Sequence, residues 1–361
     1  MKIIKLRLKK RSYSIIVGKN IIPSLGRRLR GLRVGQDGYI ITNAKIKNIC
    51  AKNIQKILRD SGFSLRFKIV PDSETSKSIG TASGVIADLA RYDKKRSIFI
   101  IALGGGVVGD LSGFVAAVYK RGVPYIQLPT TLLAQVDSAI GGKTGVDLVE
   151  GKNLVGAFYQ PRLVMSEIGF LKSLSLRQVR AGMAEVIKYG IIKDKALFSY
   201  LENNYPDILR LKPDALEFIV GRSSRIKAEI VSQDEREEAG LRTILNFGHT
   251  AGHAIEAAGG FKLYGHGEAV ALGMLVAAGI SSRLRLISES EGERIENLIR
   301  AVGLPTRIKG LVLSSIINAH YRDKKFIGTK NRFVLTKGIS KTAIRENIPL
   351  EIIKDSLRER F

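Results

Sequence analysis

Between Gly38 and about Pro129, short apolar runs alternate with stretches of helical spacing, the rhythm of βαβ units. Residues 39–42, 65–70, 97–103 and 125–128 read as strands, and residues 44–60 and 79–91 as the helices between them. Strands separated by helices pair in parallel through right-handed crossovers and bind ligands at their carboxyl ends. Beyond Phe170 the spacing turns to long helical patterns, at 175–192, 214–231 and 268–286. The pattern predicts an α/β N-terminal domain with a parallel, Rossmann-like, dinucleotide-binding sheet, residues 1–172. A mainly α-helical C-terminal domain, residues 173–361, follows.

Composition changes this picture little, and charge changes it more. The chain has 361 residues, 45% hydrophobic and 25% charged, which is globular. Its 59 Lys and Arg against 33 Asp and Glu leave a net charge of +26, so anionic partners are expected. The first thirty-six residues hold eleven of the cations and no acid. In Lys5-Leu6-Arg7-Leu8-Lys9 the cations alternate with apolar residues, which is strand patterning and breaks the apolar core a signal peptide needs. The longest apolar run, residues 269–280, falls short of the roughly 18 residues that span a bilayer. The single cysteine, Cys50, excludes an internal disulfide or a Cys-rich zinc module and suits a reducing cytoplasm.

Gly104-Gly105-Gly106-Val107-Val108-Gly109-Asp110 follows the 97–103 strand and opens a helical stretch. Glycines let a backbone approach a pyrophosphate, and the free N–H groups at a helix start favour an anion. Positions 104, 106 and 109 fit G-x-G-x-x-G, but the usual fingerprint sits on the first βα turn and carries an acid about 20 residues on. Here the next strand ends in Pro129-Thr130-Thr131. The segment is a dinucleotide loop in a non-standard setting or a tight helix–sheet contact.

Three of the four histidines, His249, His253 and His266, fall within eighteen residues. Neutral imidazoles with a carboxylate make a catalytic zinc-type site of three ligands and one open position. Spacing alone nominates His249 and His253, four apart on one helix face, as the ligand pair. Glu185, Glu256 and Glu268 are all candidates for the carboxylate. Among the many cations, Lys143, Lys152, Lys188, Lys227, Arg242, Lys324 and Lys325 lie in Gly-rich or polar segments. Gly141-Gly142-Lys143-Thr144-Gly145 and Gly151-Lys152-Asn153 resemble phosphate-cradling loops, although neither is a Walker A sequence.

A nicotinamide cofactor, a Lewis-acid metal and clustered cations together suit an acidic, phosphorylated polyol oxidised at a metal-bound hydroxyl. The ketone so formed acidifies its neighbouring C–H, which makes elimination of a β-phosphate feasible. The same parts serve a net dehydrogenase or a lyase that uses NAD internally, and residue chemistry leaves that fork open.

Across nearly its whole length the chain resembles the 3-dehydroquinate synthases, sugar-phosphate cyclases of the shikimate pathway. The resemblance is carried by GGGVVGD, YKRGVPYIQLPTTLLAQVDSAIGGKTGVD, GKNLVGAFYQP, GMAEVIKYG, LNFGHTAGHAIE and HGEAVALGM, in order. It implies an NAD-binding α/β domain, a helical metal-carrying domain and an active site between them. It further implies conversion of 3-deoxy-D-arabino-heptulosonate 7-phosphate to 3-dehydroquinate and phosphate. NAD would be reduced and reoxidised in each turnover around phosphate loss, before an aldol ring closure.

Residue by residue, the resemblance puts the metal, zinc or cobalt, on Glu185, His249 and His266, against the spacing argument for His253. It makes His253 a proton-transfer or hydrogen-bonding group near the substrate and Glu238 an acid/base candidate, and adds Lys188, Arg242 and Asn246 to the catalytic set. Substrate positions fall on Asp137, Lys143, Asn153, Lys227 and one of Lys324 or Lys325. Arg121 would reach into the site of a partner subunit, which implies a homodimer. NAD contacts fall on Asp72, Glu74, Lys77, Gly105, Gly106, Val107, Gly109, Asp110, Thr130, Thr131, Lys143 and Lys152, and on Phe170, Leu171, Lys172 and Ser173. The chain departs from the family at Ser73, where DGE is common, and at Thr42-Asn43, where an acid for the adenosine ribose is common. That second departure leaves the choice of NAD over NADP open.

A pI near 10.1 also suits a nucleic-acid-binding protein. The cations are spread along the chain without arm, repeat or binding motif, so no specific nucleic-acid partner is expected. No membrane partner is expected either, and the predicted partner is a small sugar-acid phosphate.

Overall fold

The computed structural model describes residues 1–93, 97–322 and 331–361. Strands β1 (Lys2–Leu6) and β2 (Tyr13–Gly18) form an antiparallel pair, so the basic N-terminus is strand as its alternation predicts, up to Leu6. The chain continues through α1 (Leu25–Leu32), β3 (Asp37–Thr42), α2 (Ala44–Asp60), β4 (Ser64–Ile69), α3 (Ile79–Tyr92) and β5 (Ile98–Gly104). It then forms α4 (Gly106–Val118), β6 (Tyr125–Pro129), the hairpin β7 (Lys143–Leu148) and β8 (Gly151–Phe158), and β9 (Leu163–Glu167). The main sheet has seven strands in the order β1-β2-β9-β6-β5-β3-β4, parallel from β2 to β4.

Alternation along the central strands builds a core on each face of this sheet. Ile40, Phe99, Ile101 and Leu103 pack with Leu29 of α1 and Ile46, Ile54 and Leu58 of α2. Tyr39, Ile41, Ile98 and Ile100 pack with Val85 and Leu89 of α3 and Leu111 and Val115 of α4. The bounds of α2 follow from its sequence. Asn43 caps it by accepting the Ile46 N–H at 2.8 Å, and Ile46, Cys50, Ile54 and Leu58 repeat every four residues on its buried side.

The remaining helices are α5 (Leu176–Lys193), α6 (Lys195–Leu209), α7 (Pro213–Gln233), α8 (His249–Ala258), α9 (His266–Arg283), α10 (Glu289–Val302), α11 (Leu313–Arg322) and α12 (Leu350–Arg358). A small hairpin, β10 (Arg332–Thr336) with β11 (Thr342–Glu346), lies between the last two. Helix α5 starts with a capping box from Ser175 and Gln178. The apolar run at 269–280 lies in α9 and is buried at every position but Gly279, which makes it a packing helix. No helix among the described residues is long and apolar enough to cross a membrane.

The chain groups into two units, Met1–Leu174 with Leu216–Arg236 and Ser175–Ala215 with Glu237–Phe361. A single division at 172/173 does not anticipate the return of residues 216–236 to the first unit. The Met1 amino group pairs with Glu217 at 2.9 Å, Arg11 with Glu235 at 2.7 Å, and Ser224 Oγ donates to Gln135 O at 3.3 Å. Helical spacing in α7 marks an apolar face but does not say which core covers it.

Candidate active site

In the first unit, the cofactor positions read from the sequence gather along one edge of the sheet. Gly105 and Gly106 follow β5, Thr130 and Thr131 follow β6, residues 170–173 follow β9, and Asp72 and Glu74 follow β4. These are the carboxyl ends of parallel strands. The connections leaving β3 and β5 run in opposite directions to β4 and β6, which makes their shared end a topological switch point. The first turn of α4 opens there, with Gly105 as its cap. Thr130 is buried and its Oγ1 has no hydrogen-bond partner, an orphaned polar atom at the same edge. Both readings of the Gly-rich loop have support. A Cβ on Gly104 would lie 2.7 Å from Val108 and one on Gly109 would lie 3.0 Å from Gln127 Oε1, so those two glycines serve packing.

Two polar links at this edge escape sequence reasoning. The buried ammonium of Lys77 donates to Asp110 Oδ2 at 2.7 Å and to Asn153 Oδ1, tying α4 to the β7–β8 hairpin. Burial works against the Lys77 charge, but Asp110, joined by Glu74 and Asp147, holds the pKa above the ordinary lysine value. Asn43 Nδ2 donates to Asp72 Oδ1 at 2.9 Å, which brings a carboxylate to the end of β3 where the sequence itself lacks one.

The two Gly-Lys segments belong to a β-hairpin and the turn that leads into it. Lys143 opens β7, and Lys152 and Asn153 lie at the start of β8. Gly141 and Gly142, at φ 101° and 70°, turn the chain into the hairpin, and a Cβ on Gly156 would sit 2.2 Å from Thr144 O. Close strand contact accounts for the glycines. Lys143 and Asn153 are exposed, and Lys152 lies 4.0 Å from Glu74. Lys227 of α7 is buried and donates to Asp137 at both its main-chain oxygen and Oδ1, each at 2.8 Å. Arg121 is exposed in a turn with φ 60°.

In the second unit, Glu185 lies on α5 and is fully buried. Its Oε1 faces His249 Nε2 at 3.5 Å and His266 Nε2 at 3.8 Å, and Lys188 Nζ lies against Oε2. Neither carboxylate oxygen makes a hydrogen bond of ordinary geometry. Glu185, His249 and His266 each offer a ligand atom within 4.8 Å of the others, as do His253, Glu256 and His266. The three imidazoles form one cluster, with ring centroids 5.4 to 6.4 Å apart. His249 opens α8 after Gly248 at φ 78°, and its Nδ1 lies 3.2 Å from Phe247 O, with Nε2 turned toward Glu185.

The three candidate carboxylates occupy different positions. Glu185 faces two Nε2 atoms, and Glu256 faces His266 Nδ1 at 3.4 Å. Glu268 is committed elsewhere: it accepts the Gly265 N–H at 2.8 Å and pairs with Arg177 at 3.0 Å. Burial opposes its charge, yet those bonds hold its pKa below the usual carboxylate range. Arg242 is buried and Asn246 half-buried in the turn before α8, whereas Glu238 is exposed. Lys324 and Lys325 lie outside the described residues.

Residues 67–181 match the model of the 3-dehydroquinate synthase N-terminal region and residues 182–326 that of its C-terminal region. A 3-dehydroquinate synthase of Caldanaerobacter subterraneus subsp. tengcongensis is 46% identical over 97% of this chain and 99% of its own. Among solved structures, a 2-deoxy-scyllo-inosose synthase complexed with carbaglucose-6-phosphate, NAD+ and Co2+ superposes with a TM-score of 0.90 at 26% identity, covering all of both chains. A 2-epi-5-epi-valiolone synthase from Streptomyces hygroscopicus subsp. jinggangensis 5008, with NAD+ and Zn2+ bound, gives 0.89 at 26% identity over 98% of this chain and 99% of its own.

Proposed function

The chain belongs to the 3-dehydroquinate synthase family, and from that membership we propose that it converts 3-deoxy-D-arabino-heptulosonate 7-phosphate to 3-dehydroquinate and phosphate. The observation that carries the reading is Glu185, a fully buried carboxylate without a conventional hydrogen bond, facing two imidazole Nε2 atoms. Lys188 pairs with one of its oxygens, and a divalent cation held by the carboxylate and two imidazoles offsets the cost of burying the other beside them. Glu185, His249 and His266 are the proposed ligands, for zinc or cobalt. The cofactors supply the electronic chemistry: NAD a transient hydride acceptor, and the metal Lewis acidity at the substrate oxygen.

The rest falls to side chains. His253, whose ring lies 5.4 Å from that of His249, exchanges protons with the substrate, with Glu238 as a second acid/base group. Lys143, Lys188, Lys227, Arg242 and one of Lys324 or Lys325 neutralise the phosphate and carboxylate, and Asn153 and Asn246 orient them by hydrogen bonds. Asp137 fixes Lys227 through two bonds to its ammonium. NAD takes the carboxyl edge of the first unit's sheet. There the first turn of α4, from Gly105 to Asp110, receives the pyrophosphate, and Glu74, Lys77, Thr130, Thr131, Lys152 and residues 170–173 line the edge. Asp72, held by Asn43, supplies the ribose carboxylate missing from position 43, which favours NAD over NADP. We further propose a cytoplasmic homodimer in which Arg121 serves the neighbouring copy.

Incubation with the heptulosonate phosphate, zinc and substoichiometric NAD, following phosphate and NADH absorbance together, tests the reading. Many phosphates released per NAD without lasting NADH is the expected result. Stoichiometric NADH without phosphate would make the protein a polyol dehydrogenase instead.

A further inference from the structure

Glu256 is a buried carboxylate that the reaction described above does not use. It lies in the second turn of α8, and its Oε2 is 3.4 Å from Nδ1 of His266, the first residue of α9. The other nitrogen of the same ring, Nε2, points to Glu185 at 3.8 Å. One imidazole thus stands between two carboxylates, one on each nitrogen. A neutral imidazole carries one proton, and a carboxylate accepts it, so the nitrogen facing the proton acceptor becomes N–H and the other becomes the lone-pair donor.

Two arrangements satisfy these contacts. Either each nitrogen of His266 binds its own cation, the second completed by His253 and Glu256, or one nitrogen binds a cation and the other donates to Glu256. The backbone favours the second. His266 is fixed at a capped helix start: Glu268 accepts the Gly265 N–H at 2.8 Å, and the Ala269 N–H reaches Gly265 O at 3.0 Å. Only ring rotation remains to be set. Glu256 is at the right level to set it, because α8 and α9 touch through their backbones, where a Cβ on Gly252 would lie 3.0 Å from Ala269 O. His249 is held in the same way, with its Nδ1 on Phe247 O and its Nε2 toward Glu185.

We propose that Glu256 is a positioning residue for His266: it accepts the Nδ1 proton, fixes the ring, and leaves Nε2 as the metal donor beside Glu185. The inference rests on the ligand reading proposed above. Carboxylates that orient ligand histidines contribute about 10–100-fold to metal affinity.

Zinc affinity and stoichiometry, measured by competition with a chromophoric chelator on the whole protein, test it in the native chain and in Glu256→Gln, Glu256→Ala and Glu185→Ala. The expected result is one ion per native chain, near-complete loss in Glu185→Ala, and affinity weakened about 10–100-fold in both Glu256 variants. Native affinity in Glu256→Gln and Glu256→Ala, with loss in Glu185→Ala, overturns the positioning role alone. Two ions in the native chain, falling to one in Glu256→Gln, also overturn it, in favour of a second site. Retention of zinc by Glu185→Ala overturns the ligand reading and this inference with it. If the Glu256 variants fail to fold, long-range 1H–15N correlation of the histidine rings in the native zinc-loaded protein decides. A protonated Nδ1 on His266 supports the inference, and a metal-bound Nδ1 sinks it.

Discussion

A methyl group on Gly273 of α9 would lie 1.9 Å from the carbonyl oxygen of Gly248, the residue that precedes His249. The two helices that carry His249, His253 and His266 therefore cross in backbone contact, and the spacing of the imidazoles follows from a residue that is not one of them. Gly273→Ala is expected to destabilise the protein by at least roughly 1–3 kcal/mol, the usual cost of overpacking, and to weaken zinc binding. Urea midpoint and chelator competition measure both effects; an unchanged midpoint would mean the helices part without cost.

Alanine at the histidine cluster separates ligands from the proton-transfer group. Glu185→Ala and His249→Ala are expected to lose metal and activity together, while His253→Ala keeps its metal and turns over slowly. Equal metal loss in all three, measured by elemental analysis after gel filtration, would contradict the assignment.

Lys77 is expected to matter for folding as well as for cofactor binding. Lys77→Met leaves Asp110 without its ion pair, and with the Asp110 side chain 21% exposed the loss is expected at or below the low end of the roughly 3–5 kcal/mol typical of a broken buried pair. The double variant Lys77→Met/Asp110→Leu should recover part of it. Additive losses in chemical denaturation would show that the pair is not coupled.

Asp88 accepts the Tyr39 hydroxyl at 2.6 Å and Arg66 Nη2 at 2.8 Å. The Tyr39 bond, with Arg66 and against burial, holds its pKa below the usual carboxylate range. The folded pKa lies below the unfolded one, so the stabilisation is complete above the unfolded value and is lost as pH falls through the folded value. Asp88→Asn should therefore lower the urea midpoint at about pH 7 and converge with the native chain toward about pH 2. A gap that stays constant across that range would rule this coupling out.

Burial pushes the Cys50 thiol up to about 11. The thiolate is the reactive form, so a disulfide reagent should label the protein slowly when folded and rapidly in denaturant. Fast labelling of the folded chain would show that α2 opens readily.

Local structure was legible where one segment decides its own fate. Asn43 and the four-residue repeat from Ile46 to Leu58 announce α2, and the apolar strand before Gly104 announces β5. The β7–β8 hairpin was hidden because its glycines at 145 and 156 look like loop residues, whereas they permit strand-to-strand contact. At the metal cluster, spacing favours His249 with His253 because it sees one helix at a time. Glu185, His249 and His266 come from three helices, and only family resemblance placed them together beforehand. The Lys77–Asp110–Asn153 and Asn43–Asp72 links join segments far apart in sequence, and no local pattern marks them.

The division of the chain also constrains the order of its birth. Domains commonly fold as units while synthesis proceeds from the N-terminus. Here the first unit needs residues 216–236, with Lys227 for Asp137 and Glu235 for Arg11, yet residues 175–215 of the second unit emerge before them. A nascent chain released at Leu174 would carry every strand of the large sheet and still lack Glu217, Glu235 and Lys227, which pair with Met1, Arg11 and Asp137. Lys227 reaches Asp137 only once the ribosome has already begun the metal-bearing half.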